Sequence, residues 1–336
     1  MAGKELIPPG LLYLADNITS KHNILGASKT DGARWAKGLG LPKNSDTIFF
    51  AGCGYQFTSD LASLMSFMRK MDKSVVGAEA MIGLASFQKK LGIDAAGIFR
   101  KVVSRGEKSD AQPLLDAVRV LTKLGFKLGY LAEEEPCCGG LLYYTGLHKE
   151  FGKNSRDFYG LLKSKGVKRI IGMVPSCTYT IRELASKFVE GYDLEVKHFL
   201  EAVAEKLPSV QLRFPKQVKV TYHDPCQLAR YLKLIDAPRQ ILKAIKGIEF
   251  VEPDWTKAEW TTCCGGGSGF EAVFPELSEI LAVNRVKELL DTGAQIIVTN
   301  CPGCIIQLRN GLKELKNETV QVLDMAQVVA MAMEEG

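Results

Sequence analysis

Nine cysteines in this 336-residue chain carry its most legible chemistry: Cys53, Cys137, Cys138, Cys177, Cys226, Cys263, Cys264, Cys301 and Cys304. Two adjacent pairs are each followed by two glycines, in Cys137-Cys138-Gly139-Gly140 and Cys263-Cys264-Gly265-Gly266. Each pair has a single cysteine upstream and a cysteine group downstream. The intervals match: 38 residues separate Cys138 from Cys177, 36 separate Cys264 from Cys301, and 36 separate Cys226 from Cys263. An odd count without a secretion signal argues against a disulfide framework. Buried structural thiols would account for a few cysteines, but not for two matching sets. Two vicinal disulfides would each need a strained ring. Metal ligation accounts for the whole pattern, and soft thiolates select iron–sulfur clusters, zinc or Cu(I).

Thiols so far apart in sequence must be gathered by the elements that precede them. Val218-Lys219-Val220-Thr221-Tyr222 alternates as a strand and runs into His223-Asp224-Pro225-Cys226. Asp46-Thr47-Ile48-Phe49-Phe50 does the same before Ala51-Gly52-Cys53. The run from Arg169 to Cys177 likewise parallels the run from Gln295 to Cys304. Short β-branched runs ending in Pro and Gly signals are strands that stop in turns. Between them lie helical patterns. One runs from Pro275 to Leu290, with Leu277, Ile280, Leu281, Val286 and Leu289 marking an apolar face. Another runs from Pro238 to Ile245, with proline in its first turn.

This alternation predicts an α/β chain with two doubly wound parallel sheets. The cysteines then fall just past the carboxyl ends of strands, where open α/β sheets place their ligands. The glycines after each pair let backbone approach closely, and their N–H groups can bond cluster sulfides. The two halves are unequal, with 83 residues between Cys53 and Cys137. Met65 to Leu121 reads as an inserted helical subdomain. Residues 1 to about 45, including Asn17, Asn23 and Trp35, read as an irregular leader wrapping the first half.

Composition excludes several classes. With 46% hydrophobic residues the chain can bury real cores and is not disordered. Forty-three Lys+Arg against thirty-eight Asp+Glu leave a charge of +5 spread along the chain, without the basic patch of a nucleic-acid binder. No apolar run is long enough for a bilayer span, and the start lacks a secretory core, so the expectation is a soluble cytoplasmic protein. Gly265-Gly266-Gly267-Ser268-Gly269 follows a cysteine pair rather than a strand, which is the wrong frame for a dinucleotide fingerprint. No ferredoxin-type cysteine run is present either.

These motifs resemble the CCG-domain (cysteine-rich domain) iron–sulfur family, which includes the B-type and D-type subunits of heterodisulfide reductases. The likeness rests on two ordered copies of a Cys…Cys-Cys-Gly…Cys pattern. It is close at Thr221-Tyr222-His223-Asp224-Pro225-Cys226, at Pro238-Arg239 with the following Cys263-Cys264-Gly265, and at Glu134-Glu135-Pro136-Cys137-Cys138-Gly139-Gly140. It covers residues 46 to about 315. The implied architecture is two tandem CCG domains related by a pseudo-twofold repeat. Residues 1–45 form a leader, 46–212 the first domain with a helical insertion at about 65–121, and 213–336 the second domain.

The resemblance implies an iron–sulfur oxidoreductase subunit of a heterodisulfide-reductase-like complex. Such a subunit moves electrons to or from a disulfide, thiol or persulfide at a 4Fe–4S cluster, which in some members is a non-cubane form held by five cysteines. Carried onto this chain, the five are Cys226, Cys263, Cys264, Cys301 and Cys304. In the first half Val174 stands where the fifth cysteine belongs, leaving Cys53, Cys137, Cys138 and Cys177. Four thiolates suit either a second 4Fe–4S cluster or zinc. Electrons would come from a ferredoxin-like C-type subunit with a flavoprotein behind it. Two alternatives stand beside this reading: an electron-transfer subunit without substrate chemistry of its own, and a zinc-binding structural protein.

His223 and Asp224 directly precede a ligand position. They read either as hydrogen-bonding and proton-delivery groups or as a plain turn capped by Asp224 and stiffened by Pro225. Arg239 reads as a surface salt bridge, Tyr143, Tyr144 and Tyr179 as core aromatics, and His148 as structural or exposed. His22 and His198 receive no role.

Overall fold

The computed structural model describes residues 6–72, 111–267 and 269–334. Among these residues seven strands make two sheets. β1 (Thr47–Phe50), β2 (Arg169–Gly172) and β3 (Glu195–His198) form the first, in the order β1-β2-β3. β4 (Leu212–Tyr222), β5 (Ile245–Val251), β6 (Ile296–Thr299) and β7 (Gln321–Asp324) form the second, in the order β5-β4-β6-β7. Every pairing is parallel. β1 and β6 are buried along their whole length, as strands covered on both faces by crossover helices must be.

In the second sheet the chain leaves β4 to build β5 on one side, then returns to build β6 on the other. The crevice between β4 and β6 is therefore a topological switch point, open at the carboxyl ends of both strands. The first sheet follows the same plan. Gly129 bridges Ile48 on the far side of β1 from β2, exchanging 2.8 Å backbone bonds with Phe49 and Thr47. One continuous hydrophobic core joins the sheets, running from Ile48 and Leu121 through Val220 and Leu242 to Val298 and Met325. The helices Gln112–Lys123 and Met325–Glu334 pack on one another within it.

Three expectations change. The leader is not irregular: Pro9–Lys21 is a 13-residue helix with proline at its start, ended by His22 in the left-handed region at φ 59°. Two prolines at a helix N-terminus cost no intrahelical hydrogen bond, so Pro8-Pro9 starts this helix rather than breaking it. The helix at Pro238 begins two residues earlier and runs Asp236–Ala244, because Ile245 opens β5.

The helix Pro275–Leu290 forms as expected, but its first turns bury a different face. Leu277 and Ile280 are 48% and 56% exposed, while Ser278, Ala282, Arg285, Val286 and Leu289 are buried. Small residues lie inward because backbone presses close there. Ser278 Oγ donates to Gly265 O at 2.7 Å, and a Cβ on Gly311 would stand 2.8 Å from Ala282 O.

The expected insertion is helical at both described ends, Thr58–Asp72 and Gln112–Lys123; residues 73–110 lie outside the described residues. Among the described residues no helix is long and apolar enough to cross a membrane.

Candidate functional site

All nine cysteines carry free thiols, and they gather in two sets at the carboxyl ends of the two sheets. In the first set, Cys53 sits in the helix Gly52–Gln56 after β1, and Cys177 in the helix Pro175–Tyr179 after β2. Cys137 and Cys138 arrive from the loop beyond Gly129. Cys138 Sγ lies 3.2 Å from Cys177 Sγ, and Cys53 bonds Cys137 side chain to side chain. The Gly139 N–H points at Cys137 Sγ at 3.4 Å. Gly139 holds φ +76°, and a Cβ there would stand 2.4 Å from Asn154 Nδ2, so glycine is required. Val174 is buried beside these thiols, its Cγ2 2.8 Å from where a Cβ on Gly52 would be.

The second set follows the same plan with one more thiol. Cys226 ends the turn after β4, Cys301 and Cys304 open the helix Pro302–Glu314 after β6, and Cys263 and Cys264 come from the loop beyond β5. Cys264 Sγ and Cys304 Sγ are 3.2 Å apart, and Gly265 N–H points at Cys263 Sγ at 3.3 Å. Cys264 and Cys304 are buried, whereas Cys263 is exposed. The set therefore has an inner wall and an open edge.

Crowding perturbs the thiols. Burial, with Cys301 and Cys264 nearby, pushes Cys226 up to about 11. Cys264 is held well below the usual thiol range by hydrogen bonds from Cys263 and Cys304, with His223 adding to them. Cys304, giving up that hydrogen bond to Cys264, is pushed well above it. Sulfurs packed this closely cannot all ionise without a cation among them. In the first set the largest influence on Cys177 is its bond with Cys138, which pulls it down. Burial together with the charges of Cys53, Cys137 and Glu135 outweighs this and leaves it at about 11.

His223 and Asp224 both lie in the interior. His223 is 1% exposed and its Nδ1 accepts from Arg285 Nε at 3.0 Å. Asp224 accepts from both terminal nitrogens of Arg239 at 2.9 and 2.8 Å, and from Ala258 N at 2.9 Å. Arg239 also reaches Glu252 at 2.7 Å, with its side chain only 12% exposed. The surface salt bridge expected of Arg239 is thus an interior clamp on the residue two before Cys226. His148 is exposed and packs its ring on Tyr143 at 4.8 Å. Tyr143, Tyr144 and Tyr179 are half-buried.

The two sets face one another. Gly54, next to Cys53, approaches Pro302 so closely that a Cβ would stand 2.8 Å from its Cγ. Tyr179, two after Cys177, meets Tyr231 with ring centroids 5.1 Å apart, and Tyr144 Oη lies 3.2 Å from Gln227 Oε1, beside Cys226.

Sequence reasoning passed over two groups here. Arg285 is wholly buried; its only signal was its place in the stripe Ser278, Ala282, Arg285, Leu289. Glu135 accepts from the N–H groups of Ala51 and Gly52 at 2.9 and 2.8 Å and from Gln56 Nε2 at 2.8 Å. Burial outweighs those bonds and pushes its carboxyl up to about 8. Its only signal was adjacency to Pro136-Cys137.

The family model of the CCG cysteine-rich domain matches residues 104–182 and 220–309, together half of the chain. Cys53 lies outside the first match, and only the fold brings it to Cys137. The D-type polypeptide of the dihydromethanophenazine:CoB–CoM heterodisulfide reductase of Methanosarcina barkeri is 35% identical over 225 residues, which cover 64% of this chain and 54% of that polypeptide. The EtfAB:quinone oxidoreductase of Syntrophomonas wolfei is 34% identical over 228 residues, 65% of this chain and 31% of that protein. The B-type polypeptide of the fumarate reductase (CoM/CoB) of Methanothermobacter marburgensis is 27% identical over 219 residues, 64% of this chain and 42% of that polypeptide. The chain thus spans about half the length, or less, of these relatives. Two matched segments, each carrying a paired cysteine and further thiols to the mouth of a parallel sheet, place this chain in the CCG cysteine-rich domain family.

Proposed function

We propose that the chain is an iron–sulfur subunit of an oxidoreductase that exchanges electrons with a disulfide, thiol or persulfide substrate. The observation that carries this reading is the convergence of Cys226, Cys263, Cys264, Cys301 and Cys304 at the β4–β6 switch point, opposite a second thiol set. The residues fit the group. The thiols are close enough to share protons, the Gly265 N–H is aimed at sulfur, and His223 Nε2 is a buried nitrogen without a conventional partner.

In this reading those five cysteines hold a 4Fe–4S cluster, and Cys53, Cys137, Cys138 and Cys177 hold a second cluster or a zinc ion. When bound, an iron–sulfur cluster supplies one-electron transfer and iron atoms that take sulfur ligands. The chain's own part is positioning. Buried Cys264 and Cys304 form the inner wall, and exposed Cys263 marks the side open to substrate. The Arg239–Asp224 clamp fixes the turn that delivers Cys226. The two units correspond to residues 46–212 and 213–336. A ferredoxin-like subunit, fed by a flavoprotein, is the proposed electron source. The named activities of the heterodisulfide reductase and quinone oxidoreductase relatives support a redox role of this kind.

The test is iron, zinc and acid-labile sulfide per chain in anaerobically purified protein, with EPR after oxidation. About eight irons would mean two clusters, and about four irons with one zinc a single cluster opposite a structural site. Either result sustains the proposal. Zinc without iron would overturn it and leave a structural zinc protein.

A further inference from the structure

Among the described residues, a buried histidine–arginine pair stands behind the second thiol set and no such pair stands behind the first. Arg285 is wholly buried, and its Nε donates to His223 Nδ1 at 3.0 Å. The guanidinium cannot move away, because Nη1 is tied to Thr256 O at 2.9 Å, Thr262 Oγ1 at 3.2 Å and Glu288 Oε2 at 2.7 Å. Since Arg always donates, His223 Nδ1 must be the bare nitrogen, and the ring proton resides on Nε2.

A ring nitrogen of His223, Cys264 Sγ and Cys304 Sγ all lie within 4.8 Å of one another, which resembles a three-ligand metal site. The tautomer excludes that role for the histidine. A nitrogen carrying its proton cannot ligate metal, and metal-bound histidines donate from the other nitrogen rather than accept there. With Nδ1 taken, His223 offers sulfur an N–H.

At the first set the residue three before Cys53 is Phe50, which is 1% exposed and packs edge-on against Phe158 with centroids 5.8 Å apart. It donates nothing. Among the described residues on that side, half-buried Glu135 is an acceptor whose oxygens are occupied by Ala51, Gly52 and Gln56.

Resting on the iron–sulfur reading above, we propose that His223, oriented by Arg285, donates to sulfur at the second centre and makes that centre more readily reduced than it is without the donor. An N–H donor to sulfur stabilises the extra negative charge of a reduced thiolate-bound centre; the Arg285 charge is balanced by Glu288, so its part is to hold the ring. The step is one electron in from an external one-electron donor, with no bond broken and the ring proton retained. His223 is thus a positioning and tuning residue.

The experiment is an EPR-monitored redox titration of the full chain with dithionite. The second-centre signal is assigned by its loss in Cys304→Ser. His223→Phe, which copies the first set, is expected to shift the second centre about tenfold toward the oxidised form, ~59 mV for one electron. His223→Gln, which keeps an N–H, is expected to stay closer to wild type, and any first-centre signal not to move. If His223→Phe does not accumulate, His223→Ala removes the donor without adding bulk and carries the same expectation. A second-centre midpoint unmoved in an iron-loaded variant without the donor overturns this inference alone. Wild-type protein without iron overturns it together with the iron–sulfur reading.

Discussion

The Tyr55 hydroxyl is hydrogen-bonded to the Asp324 carboxylate, joining the helix that carries Cys53 to the end of β7 in the other sheet. Asn300, the residue before Cys301, donates to both partners, at 3.3 Å to Tyr55 and 2.8 Å to Asp324. Tyr55 is 2% exposed, and burial followed by the Asp324 charge pushes its phenol well above the usual range, so it stays a donor. One side chain near each thiol set thus ties both to the same buried carboxylate.

Tyr55→Phe should therefore destabilise the protein by about 2 kcal/mol, the usual loss for a hydrogen bond to a charged group. Asp324 keeps its bonds from Asn300 and Ala326 N, which limits the damage. Urea unfolding of the variant against wild type measures it; an unchanged midpoint would show that the bond contributes nothing across the sheets.

Two glycines beside the second cysteine pair should respond differently to alanine. Gly265 has φ +83° and a Cβ there would stand 2.3 Å from Ser278 O, whereas Gly267 has φ +101° and open space around it. Gly267→Ala meets only the left-handed penalty, about 1 kcal/mol. Gly265→Ala must also push the loop off the helix Pro275–Leu290, for about 3 kcal/mol in all and a loss of iron. Iron content and thermal midpoint of the two variants, side by side, give the comparison.

Arg239→Met should cost about 3–5 kcal/mol by stranding the Asp224 carboxylate, which is 1% exposed and keeps the bond from Ala258 N. Adding Asp224→Asn should recover part of that loss, because the orphan is then uncharged. A double-mutant cycle in denaturant tests the pair. Additive losses would mean that the clamp does not act as a unit.

Acid sensitivity should trace to His198. It is fully buried, its Nδ1 accepts from Leu200 N at 3.2 Å and its Nε2 faces Met173 O at 3.1 Å. Burial lowers its pKa from 6.5 to about 3. Between those values the unfolded chain binds a proton that the folded chain refuses, so stability falls as pH falls. The loss from this residue should be about 2 kcal/mol between about pH 7 and pH 5. His198→Asn, which keeps an N-capping side chain, should flatten that part of the urea-midpoint profile. A parallel profile would assign the acid loss elsewhere.

Much of this was written locally. A strand such as Thr47–Phe50 or Ile296–Thr299 declares itself by a β-branched and aromatic run before a turn, and a thiol set by paired cysteines at repeated intervals. Parallel strands then leave their loops at one end of a sheet, so convergence of the cysteines followed from order alone. What lay out of reach was which polar groups go inside. Arg285 and Arg239 look like any helical arginine in sequence. They are interior because loops carrying Thr256, Thr262, Asp224 and Glu252 fold over them and supply acceptors.

The inward face of Pro275–Leu290 was misread for the same reason. Hydrophobicity marks what is apolar, whereas close backbone approach at Gly265 and Gly311 selects what is small. The amino-acid sequence by itself determined the two thiol sets, the alternating elements and the family. Only the tertiary structure decided that the sets face each other, that Tyr55 ties them to Asp324, and that His223 presents a proton rather than a lone pair. Those outcomes depend on contacts between segments far apart in the chain, which no local pattern encodes.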